Sequence, residues 1–274
     1  MKVEELKAKA IQIREEVIDY GYLLGKCHMG GALSTIEILT ALYYEEMKID
    51  PKNPLLEDRD RFILSKGHGA LGLYTILGDL GFFPKEYLKT FKKMGSILQG
   101  HPNAAMTPGI EMTAGSLGQG ISYGAGKALA LKAKGINGKV FVMVGDGELQ
   151  EGQNWEAIAC AHHYNLSQLY VIVDHNKLQL DDTLINELTY CKIKEKFISF
   201  GWNAKSVDGH DIEEILDSLN DQDTEKPTAI IAHTIKGKGV SFMENDISWH
   251  CNQMSAPQYQ TAKKEIKASK EAMG

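Results

Sequence analysis

Several signals are missing from this chain, and each absence removes a class of protein. Its 4 cysteines, Cys27, Cys160, Cys191 and Cys251, stand far apart with no CxxC pair. The sequence therefore suggests neither a structural zinc site nor a disulfide framework, and a reducing cytoplasm suits it. No apolar run approaches the length of a membrane span, and the N-terminus, Met1-Lys2-Val3-Glu4-Glu5-Leu6, mixes charges where a secretory signal needs an apolar core. No basic block occurs, and 30 Lys and Arg are outnumbered by 36 Asp and Glu. A net charge of -6 offers a nucleic acid no binding surface. Internal repeats, low-complexity tracts and linkers are absent too. What remains is 274 residues, 43% hydrophobic and 24% charged, enough for a large buried core. We expect residues 1–274 to form one domain.

The most informative stretch is Gly145-Asp146-Gly147-Glu148-Leu149-Gln150-Glu151-Gly152. It follows Lys139-Val140-Phe141-Val142-Met143-Val144, a continuous valine-rich run that suits a buried parallel strand. Asn154 to Tyr164 then reads as a helix, and Leu169-Tyr170-Val171-Ile172-Val173 as a second buried strand ending in Asp174-His175-Asn176-Lys177. Strand, crossover helix and strand make a βαβ unit, so the fold class is α/β, a three-layer arrangement around a mainly parallel sheet. Parallel neighbours bring their C-terminal ends to one edge, where open α/β sheets bind ligands. Asp146 and Asn176 would then share a crevice and offer hard oxygens to Mg²⁺ or Ca²⁺, with a nearby peptide carbonyl completing a protein triad and phosphate oxygens or water filling the rest. The glycines flanking Asp146 let the backbone approach a phosphate.

The remaining punctuation falls in the same pattern. Leu6 to Tyr22 has the spacing of an amphipathic docking helix. In Cys27-His28-Met29-Gly30-Gly31-Ala32-Leu33-Ser34 the glycines loosen the backbone, and Ser34 or Thr35 is expected to cap a helix from Ile36 to Tyr44. Asp58 to Leu64 ends as a strand in Ser65-Lys66-Gly67-His68, before a helix from Ala70 to Leu80. Lys66 or His68 is placed there to donate to a phosphate. Gly100-His101-Pro102 and Gly115-Ser116-Leu117-Gly118-Gln119-Gly120 follow, the latter opening a small-residue helix from Ile121 to Lys132 that reads as buried, in the core or at a subunit interface. His162 and His163, in the crossover helix, read as packing or surface residues. Asp211 caps a helix from Ile212 to Leu219, with His210 structural. Thr228 to His233 reads as another buried strand, and Lys236 and Lys238 in the turn beyond it meet either phosphate or solvent. The lysine-rich helix from Thr261 to Ala272 reads as a solvated end.

Taken together, these islands resemble the thiamine diphosphate signature, Gly145-Asp146-Gly147 followed about thirty residues later by Asn176, in its transketolase version. The resemblance runs from about Ile11 to His250 and includes Glu151-Gly152, Asn176-Lys177-Leu178 and Ser248-Trp249-His250. It implies thiamine diphosphate and Mg²⁺ (or Ca²⁺) as cofactors, with Asp146, Asn176 and the Leu178 carbonyl as metal ligands. It implies His68, Gly145 and Gly147 near the diphosphate, and Gly115, Ser116 and Leu117 beside the thiazolium and aminopyrimidine. Glu151 would lie in the interface between paired sites. His28, His101 and His250 would surround the hydroxyls of a sugar substrate and move protons, work that imidazoles suit. Met29, where relatives often have proline or isoleucine, and Cys251-Asn252, where glycine is usual, depart from the family pattern.

The resemblance further implies ketol transfer from a ketose, expected to be phosphorylated, to an aldose. It also implies a partner: a C-terminal transketolase subunit carrying the pyrimidine-binding domain and its glutamate, in an α₂β₂ heterotetramer. Other readings are a subunit of a 2-oxoacid dehydrogenase E1 α or deoxyxylulose-phosphate synthase-like enzyme, or a non-catalytic cofactor-binding subunit.

Overall fold

A computed structural model describes residues 1–179, 182–183, 192–220 and 225–272. Cys191 lies outside them. The main sheet consists of β1 (Arg61–Leu64), β2 (Val140–Gly145), β3 (Leu169–His175), β4 (Asn203–Asp208) and β5 (Thr228–His233), all parallel, 5 strands in the order β1-β2-β3-β5-β4, and a short antiparallel pair, Leu178–Gln179 with Asp182–Thr183, stands apart from it. Every residue of β1 and β3 is buried, as are the first five of β2, the signature of strands covered on both faces. Their side chains divide strictly by parity. Phe141, Met143, Tyr170 and Ile172 join one core, and Val140, Val142, Val144, Val171 and Val173 the other.

The first core is closed by α1 (Val3–Leu24), α2 (Met29–Leu33), α3 (Ile36–Ala41), α4 (Ala70–Leu80), α8 (Ile212–Asn220) and α9 (Ala256–Glu271). The second is closed by α5 (Gly120–Lys134), α6 (Gly152–His163) and α7 (Ile193–Ser199). Three layers, α/β/α, are thus observed as expected.

Three local expectations are corrected. Gly30 and Gly31 do not loosen the chain; they lie inside α2, for which His28 is the N-cap residue. Thr35 holds the N-cap position of α3, but neither its hydroxyl nor that of Ser34 makes a capping bond, because they donate back to the carbonyls of Ala32 and Gly31. Close packing accounts for the glycine at 30, since a Cβ there would stand 2.9 Å from the Trp249 carbonyl oxygen. The C-terminal helix is not a solvated end. Ala262 and Ile266 bury one face of α9 against α1, Tyr259 stacks on Tyr22 with centroids 4.2 Å apart, and Lys263 binds Glu15 and Asp19. Lysines dominate the composition of that segment, but its apolar residues recur at i and i+4 on one side. Within this chain α5 is buried on one face, and Tyr123 and Leu129 are exposed on the other.

Met29 explains itself in this packing, since its sulfur occupies the notch left by Gly21 on α1. Cys27 and Asn252 exchange two backbone hydrogen bonds, 3.1 and 3.2 Å, in an isolated antiparallel bridge. That bridge carries His28 and His250 into the same neighbourhood.

Candidate functional site

The C-terminal ends of β1, β2, β3 and β5 emerge together at one edge, and loops from before α2, α4, α5 and α9 close over them. They enclose a cavity of about 210 Å³. Of the residues singled out from the sequence, His28, His68, His101, His250, Gly115, Leu117, Gly145, Asp146, Gly147, Asn176 and Leu178 line it. Two do not. Ser116 lines an open groove next door with Gly115 and Gln119. Glu151 is exposed at the start of α6, its stem packed on Gly118. His210 is structural, as expected: Nδ1 meets Glu37 at 3.0 Å, Nε2 accepts from the Ile235 N–H at 2.8 Å, and Arg14 grips the same carboxylate.

One wall of the cavity is built of imidazoles. His28 lies 5.2 Å from His250, 5.7 Å from His68 and 6.2 Å from His101 between ring centroids. Burial first, then the neighbouring His250, Lys92, His101 and Lys236, push His28 down to about 4. Burial and Lys66 drive His68 well below the ordinary value. Rings kept neutral in this way both accept and donate hydrogen bonds.

Opposite stands the oxygen wall. Asp146, 3% exposed, accepts from its neighbours Gly147 N–H at 2.8 Å and Lys177 N–H at 2.7 Å, and meets His175 Nδ1 at 3.1 Å. Asn176 Nδ2 donates to Asp174 at 3.0 Å and its Oδ1 accepts from Leu178 N–H at 3.2 Å. Beneath both lies Asp174, fully buried. Burial alone would push its carboxyl up, but the Lys66 ammonium beside it, with the hydroxyls of Thr234 and Ser34, holds it below the usual range. Of the two expected phosphate donors, Lys66 or His68, Lys66 is therefore committed to Asp174 and the Gly31 carbonyl.

Sequence reasoning left one contributor, Lys236, open between phosphate and solvent, and missed two more. Lys236 reaches the cavity, its Nζ 3.3 Å from His250 Nδ1; an ammonium only donates, so Nδ1 accepts. Glu148 accepts from Ser65 Oγ, from Gly118 N–H at 2.9 Å and from Gly145 N–H at 3.1 Å, tying three turns together. Burial pushes its carboxyl up, and those donors pull against the shift. Asp174 is the third. Their one signal was position, each lying close to a motif at a strand end.

The family described as "Transketolase, thiamine diphosphate binding domain" matches residues 6–273. The chain belongs to this transketolase family. Similar curated proteins include an apulose-4-phosphate transketolase subunit of Phocaeicola vulgatus, 38% identical over 97% of this chain and 95% of that protein. The 6-deoxy-6-sulfo-D-fructose transketolase subunit SqwG of a Clostridium species is 40% identical over 96% of each. Among solved structures, the R525L transketolase of Pichia stipitis superposes with a TM-score of 0.88 at 30% identity, covering 98% of this chain and 44% of that one. The transketolase of Campylobacter jejuni gives 0.88 at 29%, covering 100% and 46%. The chain thus spans less than half the length of these solved transketolases, and nearly all of the subunit-type relatives. It is a thiamine diphosphate-binding domain of the transketolase family, and among its described residues no helix is long and apolar enough to cross a membrane.

Proposed function

We propose that this chain is one domain, the diphosphate-binding subunit of a split, thiamine diphosphate- and Mg²⁺-dependent transketolase. It works with a second subunit that supplies the pyrimidine-binding domain, in an α₂β₂ assembly in the cytoplasm. The observation that carries the reading is the two-walled cavity: an imidazole cluster faces Asp146 and Asn176 across about 210 Å³. A decarboxylating 2-oxoacid enzyme has no need of several groups for sugar hydroxyls, and the relatives favour transketolase over that alternative.

The donor set fits the cofactor. Asp146 supplies one carboxylate, Asn176 Oδ1 and the Leu178 carbonyl supply neutral oxygens, and this hard-oxygen triad leaves positions for diphosphate oxygens and water on Mg²⁺, with Ca²⁺ as a substitute. Gly145 and Gly147 let the diphosphate approach the backbone, and His68 donates to it. Gly115, Ser116 and Leu117 form the shelf for the rings, with Glu151 facing the neighbouring site. When bound, the thiazolium supplies the electron sink for carbon–carbon cleavage. His28, His101 and His250 bind the sugar hydroxyls, with Lys236 orienting His250, and at least one imidazole holds the hydroxyl proton released as the bond breaks. The donor is a ketose, phosphorylated in our reading, and the acceptor an aldose.

The test is to purify this chain and its partner separately, then assay ketol transfer from a phosphoketose before and after mixing, with sedimentation for assembly size. Activity only on mixing, at the mass of two of each chain, is expected. Full activity from this chain alone would refute the split-enzyme reading, and turnover of pyruvate without a ketose would refute the substrate class.

A further inference from the structure

Asp174 sits at the end of β3 with no solvent exposure and accepts from four side chains: the Lys66 ammonium, Thr234 Oγ1, Ser34 Oγ at 2.8 Å and Asn176 Nδ2 at 3.0 Å. An ionised carboxylate only accepts. The contact with Asn176 can therefore be made by the amide nitrogen and by nothing else, and the amide has one orientation. Its Oδ1 is turned the other way, where Leu178 N–H steadies it at 3.2 Å, and the residue lines the cavity.

We propose that Asp174 is a positioning residue that makes position 176 an asparagine site: it turns a neutral oxygen toward the cation and shuts out a second carboxylate. The inference rests on the reading of Asp146 and Asn176 as cation ligands. Its physical content is a reversal of the usual rule. In oxygen-ligand sites added carboxylates generally strengthen divalent cation binding. Here an aspartate at 176 would set its oxygen where Nδ2 now stands, about 3 Å from a buried anion whose charge Lys66 already balances, and like charges at that range oppose one another strongly. With Asp146 as the one charged ligand, the cation keeps net positive charge for the diphosphate. That suits a bridging ion and would suit an all-protein cation cage poorly.

The experiment compares Asn176→Asp, Asp174→Asn and the double variant in the assembled enzyme. Mg²⁺ is titrated calorimetrically in the presence of thiamine diphosphate, and melting is recorded without either. Asn176→Asp is expected to weaken Mg²⁺ binding at least tenfold. In the Asp174→Asn background, where the near-isosteric amide removes the opposing charge, the same substitution is expected to be neutral or favourable. That change of sign is not produced by general loosening of the fold, which the melting curves report separately. Equal or tighter Mg²⁺ binding by Asn176→Asp in the native background overturns the proposal; if Asp174→Asn does not fold, that comparison alone decides. Asp146→Ala separates the two levels of inference. If it leaves Mg²⁺ binding intact, the cation site itself is misassigned and the proposal falls with it. If it abolishes binding while Asn176→Asp does not weaken it, only the role of Asp174 is wrong.

Discussion

Two glycines on the same helix should respond to alanine with opposite sign. Gly120 opens α5 beneath the cavity loop, and a Cβ there would stand 2.3 Å from both Cβ and Oγ of Ser65 and 3.2 Å from its Cα. The backbone must shift, since moving Ser65 alone breaks its hydrogen bond to Glu148 and the one it accepts from Gly120 N–H at 3.0 Å. Overpacking of this kind costs about 1–3 kcal/mol, and losing a buried bond to a charged group about 1.5–3 kcal/mol. The gain in helix propensity returns about 1 kcal/mol. Gly120→Ala should therefore destabilise the chain by roughly 1.5–5 kcal/mol. Gly126, further along the helix, has nothing within 4 Å of its Cβ position, so Gly126→Ala should stabilise the isolated chain by about 0.5–1 kcal/mol. Urea unfolding of both variants, monitored by circular dichroism, measures the pair. A neutral Gly120→Ala would mean that the Ser65–Glu148 clasp does not hold these turns together.

His101→Ala and His250→Ala should each lower ketol transfer by about 10²- to 10⁴-fold if the imidazole transfers a proton, with cofactor binding by calorimetry largely kept; near-normal turnover in both would leave them structural. Stability should fall with acid through the histidine wall. His28, at about 4 in the fold against an ordinary 6.5, takes up a proton later than in the unfolded chain, so its contribution is complete above about 6.5 and is lost as pH drops toward about 4. His28→Asn should flatten that limb of a melting-temperature profile, and an unchanged limb would assign it elsewhere. Ile266→Ala should cost about 2–5 kcal/mol, whereas Lys267→Ala, on the exposed side of α9, should stay within about 0.5 kcal/mol; equal losses would deny that α9 is docked.

The sheet and the main cavity wall were legible because their signals are local. Continuous apolar runs mark strands buried on both sides, and the glycine turns at their ends mark where the backbone must leave the sheet. Hence Asp146 and Asn176 could be paired before any coordinates. Less could be read where the outcome depends on a partner distant in sequence. Lys66 looked like an anion ligand because Asp174, which binds it, lies on another strand. Lys236 carried no periodic signal, and its place depends on Gly237 N–H donating to the Gly30 carbonyl at 3.1 Å. The docked face of α9 was masked by composition: its lysines and glutamates outweigh the apolar Ala262 and Ile266 in any window average, although only the latter pair is buried against α1.

The bridge between Cys27 and Asn252 also bears on how such a chain is made. His28 emerges from a ribosome long before His250, so the imidazole wall cannot assemble until the chain through His250 is available. Contacts of such separation are slow to close, because loop entropy must be surrendered before they form. The βαβ unit bearing Asp146 and Asn176, by contrast, can nucleate within its own few dozen residues. A chain stalled before Trp249 would thus present the oxygen wall facing an incomplete imidazole wall.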